Sequence, residues 1–318
     1  MTISDVQKIT NDIKTNIEKI IIGNSETIDF ILTAIISGGH VLLEDVPGTG
    51  KTTLAKSLAK SISADFNRIQ FTPDLLPSDV TGLNIFNQEK HEFEFVPGPV
   101  FTNILLADEI NRATPRTQSS LLECMEEKQV TVDGNTRQLN RPFLVIATEN
   151  PIETAGTFSL PEAQLDRFMM QLSMGLPSKE EEIKIMDRFI SDNPLENISP
   201  VCSGDDIYIM GETAKSVFVH DVIRRYIADI VVATRNDKSI SSGVSPRGTL
   251  ALLKASQVYA AISGREFVTP DDVKKLAVPV LSHRIISYTN MAKNSNKESL
   301  ILSVLDSVAA PTEDWTEK

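Results

Sequence analysis

Gly48, Gly50, Lys51 and Thr52, within Val46-Pro-Gly-Thr-Gly-Lys-Thr-Thr53, have the types and spacing to grip a chain of phosphates. Two glycines leave the backbone without Cβ atoms, so successive N–H groups can close around an anion. Residues 40–43 before the loop are an apolar run suited to a buried strand, and an amphipathic helix pattern begins at Lys51. The start of that helix adds unpaired N–H groups and the positive end of its dipole. Pro47, Gly48, Thr49, Gly50, Lys51, Thr52 and Thr53 together form a loop for a nucleoside triphosphate. Lys51 would reach the β- and γ-phosphates, and the Thr52 hydroxyl would ligate Mg²⁺. The pattern carries glycine where this chain has Asp45, which reads as a tolerated variation at the edge of the turn.

A second group follows the apolar run 104–107, which ends in Asp108-Glu109. In an open α/β sheet, ligands sit at the carboxyl ends of the strands, so both carboxylates should face the phosphate loop. Asp108 is placed to hold Mg²⁺ through water, and Glu109 to polarise an attacking water. An acidic strand-to-loop junction is common on any surface, and the loop upstream is what favours the chemical reading. Asn150 closes another apolar strand, 143–147 followed by Thr148-Glu149. Its amide could bond both a γ-phosphate and a water; read alone, it is a polar residue opening an Asn-Pro turn with Pro151. Arg167 and Arg247 are lone arginines with surface ion pairs as their plain reading. Arg247 follows Pro246 in the first turn of a helix, where a cation opposes the dipole and an anionic partner would explain it.

The elements that must position these groups follow from periodicity. Val6, Ile9, Ile13, Ile17 and Ile20 mark a helix over 4–20, with Ser4 and Gln7 as a capping box. A second helix over about 26–37, capped by Asn24 or Ser25, ends at Gly38-Gly39. Strands are expected at 40–43, 66–71, 104–107 and 143–147, with helices from Lys51 to about 62 and over 116–127. Each strand is nearly uniformly apolar, so the sheet is parallel and covered on both faces. Residues 72–82 are poor in helix signal. Two hairpins, 83–96 and 130–139, interrupt the alternation. Beyond residue 177 strand signal fades. Ser178 and Glu181 cap a helix to about Ser191, and helical patterns recur near 204–216, 219–234, 246–263, 270–281 and 299–308. The expected organisation is an α/β nucleotide domain over 1–177 and a smaller helical domain over 178–318.

At 318 residues the chain can hold two cores. Its net charge of −12 argues against general nucleic-acid affinity, which needs a local excess of Lys and Arg. No apolar stretch reaches the length of a membrane span, and the polar start lacks a signal peptide's regions. Cys124 and Cys202 fall in different expected domains, and the four histidines have no metal-ligand spacing. These features are those of a cytoplasmic protein.

Taken together, the chain resembles the AAA+ ATPases and within them the MoxR family, from the first helix to about Ala310. The matching stretches include Ile22-Gly23, Leu42-Leu-Glu-Asp-Val-Pro-Gly-Thr-Gly-Lys-Thr52, Gln70-Phe-Thr-Pro-Asp74, Leu106-Ala-Asp-Glu-Ile-Asn-Arg112 and Ala147-Thr-Glu-Asn-Pro151. Leu160-Pro-Glu-Ala-Gln-Leu-Asp-Arg-Phe168, Ser245-Pro-Arg247 and Leu281-Ser-His-Arg-Ile285 extend the match. Asp45 departs from the pattern, as does Glu149, where a neutral residue is expected. The resemblance implies a parallel-sheet core with hairpin insertions and a helical lid, binding ATP and Mg²⁺. It implies sensor 1 at Asn150, an arginine finger at Arg167 that reaches the neighbouring subunit's nucleotide, and a sensor 2 arginine at Arg247 acting in cis. Ile21 to Gly23, with Ile22 and Gly23 among the cofactor-binding residues, would line the adenine pocket. It further implies a ring, commonly a hexamer, and chaperone-like action on a protein client, together with a von Willebrand A-domain protein. A nucleic-acid motor related to MCM helicases is a competing reading, but the hairpins mix Lys90, His91, Arg137 and Arg141 with Glu89, Glu92, Glu94 and Asp133 and are not basic. The phosphate loop would also suit a nucleotide-switched binding module with little turnover, against which Glu109 and Asn150 count. It would suit a P-loop kinase less well, since a kinase needs neither Arg167 in trans nor a helical lid.

Overall fold

The computed structural model describes residues 1–150, 156–190, 194–288 and 297–311; Pro151 and Ser191 lie outside them. Helices α1 (Ile3–Glu18) and α2 (Ser25–Ile36) precede strand β1 (Val41–Glu44), and α3 (Lys51–Ser61) leads to β2 (Phe66–Gln70). A short α4 (Pro77–Thr81) and the hairpin β3 (Gly82–Asn87) with β4 (Glu92–Pro97) come before β5 (Ile104–Asp108). Helix α5 (Pro115–Glu127), the hairpin β6 (Gln129–Val132) with β7 (Asn135–Gln138), and β8 (Leu144–Glu149) follow. After α6 (Glu162–Leu165) and β9 (Met170–Leu172) the chain is mainly helical. Its helices are α7 (Lys179–Phe189), α8 (Gly204–Ala214), α9 (Asp221–Asn236), α10 (Pro246–Ile262), α11 (Pro270–Leu281) and α12 (Lys297–Ser307).

The sheet is five-stranded and parallel, in the order β2-β5-β8-β1-β9. Successive side chains alternate between faces. Leu42, Leu105, Ala107, Val145 and Ala147 pack with Leu121, Leu122 and Met125 of α5. Val41, Leu43, Ile104, Leu106, Leu144 and Ile146 face a second cluster, formed by α1 to α3 and running on into α8 to α12. Each fully buried Leu or Ile of these faces contributes about 1.5–3 kcal/mol. Because the strands run parallel, Glu44, Gln70, Asp108 and Glu149 all end at one edge of the sheet.

Some elements depart from expectation. The capping box of α1 is Thr2 with Asp5, two residues earlier than Ser4 with Gln7: the Thr2 N–H donates to Asp5 at 2.7 Å, and the Asp5 N–H to Thr2 Oγ1 at 3.2 Å. Asn24 begins α2 from a left-handed conformation without a side-chain cap. The Ser178–Glu181 box does cap α7. Helix α4 forms where helix signal is poor, because Pro77 fits its first position and Asp79 accepts from the Leu76 N–H at 2.9 Å. The edge strand β9 forms where the sequence shows no strand pattern. The helical part also carries a two-stranded ribbon, β10 (Ile240–Ser242) with β11 (Ile286–Ser287).

Candidate nucleotide site

The loop after β1 has the shape its glycines require. Gly48 and Gly50 take φ of 90° and 89°, a region costly for a residue with a Cβ. A Cβ on Gly48 would meet nothing within 4 Å, so conformation and not crowding demands glycine there. Gly50 begins the eleven-residue α3 without a side-chain cap, which leaves the first N–H groups of the helix for an anion. Thr49 Oγ1 is buried and has no hydrogen-bond partner. The Lys51 ammonium donates to the carbonyls of Asp45 (2.9 Å) and Val46 (3.2 Å). Burial lowers its pKa, while Asp45, Asp108 and Glu109 work the other way.

Asp45 is not a passive variation. Its buried carboxylate accepts from Ser173 Oγ (2.8 Å) and from the N–H groups of Met174 (2.7 Å) and Gly175 (3.0 Å). It thus ties the loop to the chain leaving β9, a contact 130 residues away that no local pattern signals.

The carboxylates stand at the edge where the strands end. Asp108 is buried, accepting from Arg68 Nε at 2.6 Å and from Thr148 Oγ1 at 3.2 Å. Glu109 sits at φ 56°, with its N–H on Thr148 Oγ1 at 2.9 Å. A non-glycine residue in that region costs about 1–3 kcal/mol and marks a site where geometry is imposed. The Glu109 Oε2 accepts from Gln70 Nε2 (2.7 Å) and from Arg112 Nε (2.8 Å). No motif in the sequence singles out Arg68, and Gln70 and Thr148 stand in matching stretches without a role being assigned to either. The pairing of β2 with β5 puts Gln70 beside Asp108.

Pro47, Gly48, Gly50, Lys51, Thr52, Thr53, Asp108, Glu109 and Asn150 line one cleft of about 310 Å³. Asn150 is buried there. Glu149 lies in register with Glu44 of β1, and both carboxylates are short of solvent. Burial first, and then the neighbouring Glu44, push the Glu149 pKa up to about 7; its Oε1 has no hydrogen-bond partner. Ile22 and Gly23 do not line the cleft itself. Ile21 does touch the loop, its Cδ1 lying 3.8 Å from where a Gly50 Cβ would stand, and Gly23 (φ 72°) abuts the Glu181 carboxylate of α7.

Comparison with known proteins agrees with this geometry. Residues 40–170 match the ATPase family associated with various cellular activities (AAA), and residues 232–302 match the AAA lid domain. Chaperone MoxR1 of Mycobacterium tuberculosis is 40% identical over 305 residues, 93% of this chain and 80% of that one. Protein MoxR of Paracoccus denitrificans is 31% identical over 97% of both chains. The chain belongs to the MoxR family of AAA+ ATPases. YeaC of Bacillus subtilis is 46% identical over 97% of both chains. A solved structure from Cytophaga hutchinsonii superposes with a TM-score of 0.91 at 38% identity, covering 98% of this chain and 97% of that one.

In this MoxR-family chain the donors suit ATP with Mg²⁺. The Thr52 hydroxyl and the Asp108 carboxylate are hard oxygen ligands on one cleft, and the unpartnered Thr49 hydroxyl lies in the same loop. No group of three His, Cys, Asp or Glu able to hold a metal occurs among the described residues. One carboxylate and one hydroxyl, with phosphate oxygens and water supplying the rest, is a usual Mg²⁺ arrangement.

The two arginines lie elsewhere. Arg167 lines a separate hollow of about 480 Å³ with Glu123 and Glu127 of α5, Gln129 and Gln164. Arg247 pairs with Glu126, also on α5, and is not among the residues lining the cleft. The start of α10, which carries Arg247, is fixed beside the Arg167 turn, with Ser245 Oγ donating to Asp166 at 2.9 Å. Among the described residues, no helix is long and apolar enough to cross a membrane.

Proposed function

We propose that this chain hydrolyses ATP with Mg²⁺ in a cleft completed by a second copy of itself, and couples the cycle to remodelling or maturing a protein partner in the cytoplasm. One observation carries this reading. Lys51, Thr52, Asp108, Glu109 and Asn150 meet in one cleft, while Arg167 and Arg247 lie outside its lining, each beside glutamates of α5. Cations meant for a γ-phosphate but placed outside their own cleft fit a neighbour's cleft. The division near residue 177 into a nucleotide domain and a lid belongs to the same proposal.

In this mechanism the loop N–H groups and Lys51 neutralise the phosphate chain. Thr52 and Asp108 would hold Mg²⁺, which would supply neutralisation of the phosphate charge. Glu109 exchanges a bond to Gln70 or Arg112 for the attacking water and accepts its proton. Asn150 orients that water against the γ-phosphate. Arg167 and Arg247 of the next copy stabilise the charge that develops in the transition state.

Assembly as a hexameric ring, and a von Willebrand A-domain partner, follow from the family resemblance. A protein client is supported by the hairpin β3–β4, where Leu83, Ile85, Phe86, Phe93 and Val96 are all exposed, Phe93 at 72%. Exposed apolar side chains of this kind along the two strands suit a polypeptide, whereas nucleic acid calls for cations. Glu109→Gln tests the core of the proposal. It should bind ATP within a few-fold of wild type and lose about a hundredfold or more in turnover. Undiminished turnover would remove Glu109 from the role of base.

A further inference from the structure

The segment Leu281-Ser-His-Arg-Ile285 plays no part in the chemistry above, yet His283 and Arg284 bond it to the turn over 166–169 before β9. Arg284 is buried at the end of α11, its side chain 2% exposed. All five of its N–H groups donate. Nε bonds Asp166 Oδ1 at 2.7 Å. One terminal nitrogen bonds the Met169 carbonyl (3.0 Å) and that of Val280, and the other bonds the Phe168 (2.7 Å) and Asp166 (3.3 Å) carbonyls. His283, held neutral by burial and by the adjacent Arg284 charge, donates Nε2–H to the Phe168 carbonyl at 3.0 Å. These bonds clamp the main chain on both sides of Arg167. The second Asp166 oxygen accepts from Ser245, the N-cap of α10, and a Cβ on Gly248 would come within 2.9 Å of Arg284 Cδ.

We propose that Arg284 is a positioning residue that locks the Arg167 turn and the Arg247-bearing start of α10 into one rigid body, so that both arginines present themselves to the neighbouring nucleotide as a unit fixed to the lid. The inference rests on the reading that Arg167 acts on a neighbour's ATP. A buried guanidinium spread over four carbonyls and a carboxylate is costly to desolvate, and a planar fork with five fixed donors is what can hold a turn in a single conformation. A lid that moves during the nucleotide cycle therefore carries the finger with it.

Arg284→Lys retains the charge but cannot span five acceptors. It should leave ATP affinity within about twofold and lower turnover by about ten- to a hundredfold, the scale set by a misplacement of about 1 Å. Mixing distinguishes positioning from a purely structural role. Glu109→Gln subunits are unable to hydrolyse but carry intact fingers. Combined with Arg284→Lys subunits, they should give turnover well above the sum of the two preparations measured apart, because the intact cleft of one variant meets the intact finger of the other. The same mixture is made with Arg167→Ala. If Arg167→Ala is rescued and Arg284→Lys is not, Arg284 does not act through the finger and the inference falls. If Arg167→Ala is not rescued either, the intersubunit reading itself is wrong and the inference goes with it. Should Arg284→Lys fail to fold, Asp166→Ala carries the same test, because it removes both the oxygen that accepts from Arg284 and the one that accepts from Ser245. Its rescue supports the clamp, and its failure beside a rescued Arg167→Ala overturns it.

Discussion

Asp45 and Glu149 are the two residues at which this chain leaves its family's pattern, and each has a physical account. The Asp45 carboxylate satisfies the Ser173 hydroxyl and two main-chain N–H groups that are otherwise enclosed. Asp45→Gly, which restores the glycine of the loop pattern, should therefore cost about 2–4 kcal/mol in urea unfolding, since it strands buried donors that now bond to a charge. An unchanged midpoint would show that these bonds hold nothing. Glu149 keeps its proton up to about pH 7, whereas an ordinary glutamate releases it near 4.5. Between those values the folded chain holds a proton that the unfolded chain has lost. The favourable contribution of the protonated group is thus complete below about 4.5 and disappears as the pH rises through about 7. Glu149→Gln should raise the thermal midpoint by about 2–4 °C at pH 8 and have little effect at pH 5. Equal effects at both pH values would contradict a raised Glu149 pKa. A half-protonated Glu149 also explains how a carboxylic acid occupies a position next to Asn150 where a neutral residue is expected.

Among the elements, β1 is held in place by a histidine that no motif announces. His40, just before the strand, receives the Val145 N–H on Nδ1 at 3.0 Å and donates from Nε2 to the Met125 carbonyl of α5 at 3.0 Å. Burial lowers its pKa to about 4, from an ordinary 6.5. The stability it lends is whole above about pH 6.5 and is lost as the pH falls towards 4, because the unfolded chain takes up a proton that the folded chain refuses. The gap in unfolding free energy between wild type and His40→Gln should accordingly narrow from pH 7 to pH 4.5; a constant gap would show that His40 titrates normally. The longer helices and the buried strands are legible from their periodicity. β9 is not, because Met170-Gln-Leu172 is three residues long and lacks β-branched side chains; only pairing with β1 makes it a strand. α4 is hidden for a similar reason, since five residues carry too little periodicity to read.

For the molecule as a whole, the position of Arg247 makes the strongest prediction. Paired with Glu126 and outside its own cleft, it should contribute nothing to ATP binding by a dilute, unassembled chain. Arg247→Ala should leave that affinity unchanged and reduce the turnover of concentrated protein by about a hundredfold or more, as loss of a cation facing transferred phosphate does elsewhere. The specific activity of wild type should itself climb with protein concentration. A tenfold loss of ATP affinity in dilute Arg247→Ala would return this residue to its own chain's cleft.

Sequence alone determined the phosphate loop, the acidic strand end at Asp108 and Glu109, and the order of most helices and strands. Those features lie in short contiguous segments, where glycine conformation, apolar runs and helical period act locally. Only the tertiary structure decided that Arg68 and Gln70 attend the two carboxylates, that Asp45 anchors the loop to the chain after β9, that Arg247 pairs with Glu126 of α5, and that Arg284 grips the Arg167 turn. Each of these joins residues far apart in the chain. They depend on the strand order β2-β5-β8-β1-β9 and on the docking of the lid, which are set by burial of both sheet faces at once and leave no trace in local spacing.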